Sequence, residues 1–213
     1  MRKLLVLVVV IVGLLVVADI GARSVVEAQL RDRVKLAAAP EGDTSAHISS
    51  FPFLGRLLTS GDVSRIRVAT GGVTVEGLTF ARLAVDLDDV TLDRDRLVSE
   101  RKLVLTNLRR GTAEAEVTQD ELSQRLGVPV TLEAGRARVR VGGQMVTATA
   151  SVKDNTLRLA VAGLSVPSLH IPKLPLVPCV ADARIEPGRV VLTCTVDQVP
   201  PELVGRPLDQ VKL

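Results

Sequence analysis

Between Ser64 and Val161 apolar side chains recur at every second position, a period that only extended chain can use. Ile66 and Val68 alternate with Arg65 and Arg67, and Ala81, Leu83, Val85 and Leu87 form the next set. That set shifts to Val90 and Leu92 across Asp88-Asp89, as a β-bulge would shift it. Leu103 and Leu105 follow, and then Ala113, Ala115 and Val117 oppose Glu114 and Glu116. Ala137, Val139 and Val141 oppose Arg136, Arg138 and Arg140, while Leu157, Leu159 and Val161 oppose Arg158. Such a chain is expected to build a long antiparallel sheet, apolar on one face and charged on the other.

The interruptions are as informative as the strands. From Asp19 to Leu36 the spacing is helical, with Val26, Leu30 and Val34 on one face and Arg31, Asp32, Arg33 and Lys35 on the other. Residues 37–45, with Pro40 and Gly42, read as a loop. Thr118-Gln119-Asp120-Glu121 has the form of a capping box, in which the Thr hydroxyl accepts an N–H and the Glu reaches back. It opens a short helix, 119–126, buried through Leu122 and Leu126 and ended by Gly127. Pro167, Pro172, Pro175 and Pro178 make 166–178 a stiff crossing segment. A C-terminal hairpin, 179–197, turns at Glu186-Pro187-Gly188-Arg189. Its alternation puts Cys179 and Cys194 on one apolar face, as a disulfide or as two buried thiols.

Met1-Arg2-Lys3 precedes fifteen uncharged apolar residues, Leu4 to Ala18. That is the pattern of a secretory signal, cleaved or retained as an anchor, and it delivers the remainder to the outer side. Removing Arg2 and Lys3 from the 27 basic residues leaves 25 against 24 acidic ones, a nearly balanced chain with no nucleic-acid footprint. Export makes the disulfide chemically admissible.

Chemistry is scarce. The chain has two His and two Cys, three Phe, and no Trp or Tyr, against an apolar content of 46%. No His stands at metal-ligand spacing from a cysteine. His47 and His170 lack a nucleophile elbow, a zinc-protease motif or a P-loop around them. Asp86, Asp88, Asp89, Asp93 and Asp95 lack the glycine and terminal Glu of a calcium loop, so a charged strand end is the simpler reading. No catalytic residue, cofactor or metal is expected. A protein-binding envelope scaffold or adaptor is the alternative to a ligand carrier.

Ile48-Ser49-Ser50-Phe51-Pro52-Phe53-Leu54-Gly55-Arg56-Leu57-Leu58, followed by Gly61 and Val63, holds two of the three aromatics. It reads either as a core plug or as the mouth of an apolar cavity. With the N-terminal apolar segment running into a helix, with Gly77-Leu78 before a long alternating strand, and with the 118–126 helix and C-terminal hairpin, this stretch resembles the actinobacterial LmeA-like family of cell-envelope proteins, named for lipomannan elongation. The cysteine pair and the four-proline segment are not part of that resemblance.

The resemblance implies a mostly β, α+β fold of TULIP-like type, in which a long N-terminal helix packs on a curved antiparallel sheet around an apolar groove. It implies a phospholipid, or a phosphatidylinositol-type glycolipid, as ligand, in support of envelope lipid and mannan biogenesis. The expected organisation is an address in 1–18 and one lipid-binding domain in 19–213, with the curved sheet over 44–165. Phe51, Phe53, Leu54, Leu57 and Leu58 are expected along the groove with Phe80, Leu83 and Val85. Val26, Leu30, Leu103 and Leu105 complete that lining. Arg136, Arg138, Arg140 and Arg158 are either a head-group and membrane contact or a solvated outer face. The partners are then lipid, the membrane surface and an envelope glycosyltransferase.

Overall fold

The computed structural model describes residues 2–100, 102, 104–153, 156–161, 168–172, 182–199 and 205. Helix α1 runs without a break from Arg2 to Ala38, so the apolar run and the amphipathic stretch after it form one rod of about 55 Å at the helical rise. Among the described residues no helix is long and apolar enough to cross a membrane.

The alternating segments form two open antiparallel sheets. The larger contains β1 (Thr44–Ser49), β2 (Asp62–Val75), β3 (Leu78–Leu92), β4 (Leu105–Thr118), β10 (Asp182–Glu186) and β11 (Arg189–Val196). Their order is β1-β2-β3-β4-β11-β10. The smaller contains β5 (Val130–Glu133), β6 (Arg136–Val141), β7 (Gln144–Lys153), β8 (Thr156–Ala160) and β9 (Leu169–His170), side by side in chain order. The fold is therefore α+β and mostly β, as the alternation indicates, with the N-terminal helix packed on antiparallel sheets, as the family resemblance implies. Its single sheet over 44–165 is divided in two, because α4 (Gln119–Leu126) turns the chain out of the first plane after β4. Leu169 and His170, inside the proline-rich segment, pair with Leu157 and Thr156 and lengthen the second sheet instead of only crossing it.

Two cores result. The first lies between the sheets, where Phe80, Val117, Leu122, Leu126, Val139, Leu157 and Val190 are buried together. The second gathers Ile48, Phe53, Val63, Val90, Leu92, Leu105 and Leu108, with Val26 and Leu30 of α1 packed against them. Two helices absent from the sequence reading flank the second core: α2 (Phe53–Thr59), which buries Phe53, and α3 (Arg94–Glu100). Asp93 opens α3 by accepting the Arg96 N–H at 3.1 Å.

Two local expectations are modified. Thr118 caps α4 by accepting the Glu121 N–H, and Gly127 closes it in the left-handed region, but Glu121 does not turn back. Its carboxylate accepts the Thr79 N–H at 3.1 Å and pairs with Arg125, so it fastens α4 to β3. The phase change near Asp88-Asp89 is real, yet no residue is inserted opposite β2: Arg65 faces Asp88 and Val63 faces Val90 in unbroken register. Asp89 instead takes φ +47°, a left-handed conformation that Asp tolerates better than most residues.

Candidate functional site

The register of the larger sheet arranges its apolar face into rows that cross the strands. At one level Ile48, Ile66, Leu87, Gly111 and Val196 stand side by side through β1, β2, β3, β4 and β11. Two residues along, the row is Ala46, Val68, Val85, Ala113 and Cys194. Two further on it is Thr44, Thr70, Leu83, Ala115 and Leu192. Thr44 and Thr70 neutralise each other, hydroxyl to hydroxyl, at 3.0 Å. The outer row on one side packs into the second core through Ile48, Ile66 and Leu87, and the outer row on the other joins the first core through Leu83, Ala115 and Leu192.

The middle row is buried at its ends, Ala46 and Cys194, and differs from both at its centre. Among the described residues, Val68, Val85 and Ala113 pack against neither core and are only part-buried. They are also small. Three adjacent strands thus present a shallow apolar floor about 10 Å wide, by the spacing of neighbouring strands, between two filled ends. A floor of this kind rewards any alkyl chain laid across it by about 0.8 kcal/mol for each methylene removed from water. Among the described residues this row, Val68, Val85 and Ala113, offers no polar side chain to a reacting atom. α1 runs along β1 and reaches β2, so it borders this floor at the β1 edge.

The reverse face is charged and self-paired. Arg65 contacts Asp88 at 2.7 Å and Asp86 at 3.0 Å, and Arg67 contacts Asp86 at 3.0 Å. The hydrogen bond to Asp88, with the charges of Asp86 and Asp88, holds the Arg65 guanidinium above its ordinary value. These pairs, with Arg109–Asp89 at 2.8 Å, account for the acidic run of β3. Among the described residues no group of three His, Cys, Asp or Glu side chains is placed to hold a metal ion.

A hollow of about 610 Å³ lies at the far end of β2–β4, lined by Arg56, Asp62, Asp89, Thr91, Asn107 and Arg109 together with Leu108 and Asp197. Asp62, Thr91 and Asn107 are neighbours across the strands, each one residue away from Val63, Val90 and Leu108. Those three turn into the second core, so the polar trio belongs to the opposite face. The hollow is therefore separated from the apolar floor by the sheet, and several of its polar groups already have partners, Arg109 pairing with Asp89. Thr91 donates to Asp62 at 3.0 Å, and Arg56 donates to Ser64. The Ser60 and Thr91 hydrogen bonds and the Arg56 charge hold the Asp62 carboxyl below the usual carboxylate range.

The residues expected along the groove are dispersed. Phe53 is 2% exposed in the second core, where Leu105 is also buried and Leu54, Leu57, Val26 and Leu30 pack around it. Phe80 is fully buried in the first core and Leu83 packs against it. Phe51 is 72% exposed and Leu58 51%. Val85 alone of that set lies on the open row, and Leu103 is outside the described residues. Arg136, Arg138, Arg140 and Arg158 are exposed on the smaller sheet, which packs beside β10, at the opposite edge of the larger sheet from β1 and α1. Arg138 pairs with Glu133 at 3.4 Å. Cys194 is buried on the apolar face of β11, and Cys179 lies outside the described residues.

Sequence reasoning missed Val68 and Ala113 as floor residues, although their alternation was visible. It also missed two carboxylates of α1. Asp19, only 7% exposed, accepts the Leu54 N–H at 2.6 Å, and Glu27 accepts the Ile48 N–H at 2.7 Å. The signal was there to read: acidic residues on the packing side of an amphipathic helix need a donor.

The model of the LmeA-like phospholipid-binding family matches residues 17–212, from the middle of α1 almost to the C-terminus. The chain belongs to this family. The match takes in both sheets, both cores and the open row, and phospholipid binding is the property by which the LmeA-like family is described. Neither the curated proteins nor the solved structures contain a match to the chain.

Proposed function

We propose that this LmeA-like protein is an exported cell-envelope lipid binder that seats phospholipid acyl chain across Val68, Val85 and Ala113. The observation that carries this reading is the open middle row: small apolar residues in register on three strands, between two cores that are already full. Acyl chain is the matching ligand, because the described floor residues supply apolar area and no directed polar contact. Family membership supports the phospholipid class. In this reading 1–18 address the chain to the outer side of the membrane, 19–213 form the binding domain, and Cys194 bonds Cys179. The ligand is phospholipid or a phosphatidylinositol-type glycolipid, the role is non-catalytic support of envelope lipid and mannan assembly, and a glycosyltransferase is the protein partner.

The test is a lipid profile of the purified full chain by mass spectrometry, with alkylation before and after reduction on the same sample. Co-purified phospholipid at a fixed ratio to protein, and thiols that alkylate only after reduction, are the expected results. Lipid-free protein that also fails to take up phospholipid from vesicles would refute the reading and favour a scaffold.

A further inference from the structure

We propose that the turn at Phe51 is a membrane-contact site, set at the depth of a bilayer's interfacial layer by α1. This rests on the lipid-binding reading only in needing a membrane nearby. Leu14, Leu15, Val16 and Val17 are all exposed on α1. Successive helical residues point about 100° apart, so four consecutive exposed apolar residues cover every side of the rod. A single partner surface buries one stripe of a helix, whereas a surrounding apolar medium such as a bilayer satisfies all sides. The uncharged run ends at Ala18, and the next residue, Asp19, is turned inward onto the Leu54 N–H at 2.6 Å. That bond ties the first turn of α2 to the level of α1 at which the apolar run stops. Phe51, three residues before Leu54, is 72% exposed there, and Ile20 of α1 is exposed at the same level.

Phe51 has no polar tip, but an exposed apolar ring at the level where the apolar run of α1 ends gains by leaving water for the boundary layer of a bilayer. The surface assigned here is distinct from the arginine stripe, which lies beyond the opposite edge of the larger sheet. It also requires that residues 14–20 stay joined to the domain, because a cut after Ala22 would remove Asp19 and leave the Leu54 N–H without its acceptor. The orientation places the β1 edge of the larger sheet, and not the smaller sheet, next to the bilayer.

The chain has no Trp, so Phe51→Trp introduces a single fluorophore into the full-length protein. The probe is its emission with phosphatidylcholine–phosphatidylglycerol vesicles, some brominated near the head group. Ile20→Trp reports the same level from α1. Leu36→Trp reports the far end of the rod, about 25 Å away at the helical rise. Blue-shifted emission and quenching at positions 51 and 20, with position 36 unquenched, is the expected result. Unquenched emission from 51 while 20 is quenched overturns the proposal, as does equal quenching at all three, or failure to bind vesicles. Lipid cargo that persists with an unquenched position 51 refutes this site and leaves the groove reading standing. Quenching without any cargo does the reverse.

Discussion

Val85 of β3 stands directly opposite Ala113 of β4, at the level of the sheet where, among the described residues, neither core reaches. Ala113→Leu should therefore fill the floor without overpacking a core. An acyl chain pushed off by two methylenes loses about 1.6 kcal/mol, close to tenfold in retention. The expected outcome is a large fall in co-purified lipid per folded molecule with a nearly unchanged melting temperature. A matching fall in both would mean that Ala113 is a packing residue and the floor is closed.

The two phenylalanines of the Phe-Pro-Phe element have opposite fates, and their substitutions should separate cleanly. Phe53→Ala removes a ring buried in the second core and should cost about 3–5 kcal/mol. Phe51→Ala removes an exposed ring and should stay within about 0.5 kcal/mol. Urea unfolding of both variants is the measurement. Equal losses would contradict the exposure of Phe51.

This pair shows what the sequence could and could not convey. Period-two alternation is a local property, so β2, β3, β4, β6, β8 and the C-terminal hairpin, their apolar face, the cap at Thr118 and the stop at Gly127 were legible, whereas β1, β5 and β7 were not read as strands. The α1 face carrying Val26 and Leu30 was legible for the same reason. Which rows meet is a matter of register, and register depends on partners far away in the chain. Val68 and Ala113 lie 45 positions apart and share a row only because each pairs with Val85. The division into two sheets was hidden likewise, since β4 and β5 carry the same alternation. At Asp89 the change of phase was visible, but a left-handed residue and an inserted residue leave the same mark in sequence.

Asp19 and Glu27 should behave as two separate fastenings of α1. A hydrogen bond to a charged group is worth about 1.5–3 kcal/mol, so Asp19→Ala should weaken α2 docking by that order. Native-state hydrogen exchange should show faster exchange of the Leu54 amide and its neighbours in α2, with β6 and β7 unchanged. Glu27→Ala should release the Ile48 amide instead. If either substitution accelerated exchange throughout the molecule, α1 would be part of one global unit and not a fastened rod.

The acid limb of stability should report on Asp62. Its carboxyl is held low by the Ser60 and Thr91 hydrogen bonds and by Arg56, and Glu186 is held low by the hydrogen bond and charge of Arg189. A carboxyl whose folded value is depressed stabilises the fold above its unfolded value and loses that contribution as pH falls through the folded one. Stability should thus be level from neutrality down to the ordinary carboxylate range near about 4, and decline below it. Asp62→Asn should be less stable than the natural chain at neutral pH, and the gap should close as the pH drops through the depressed value. Thermal unfolding of both proteins from neutral to strongly acidic buffer measures this. A gap that stayed constant with pH would assign the loss to the altered Thr91 hydrogen bond alone, with no contribution from the carboxylate charge.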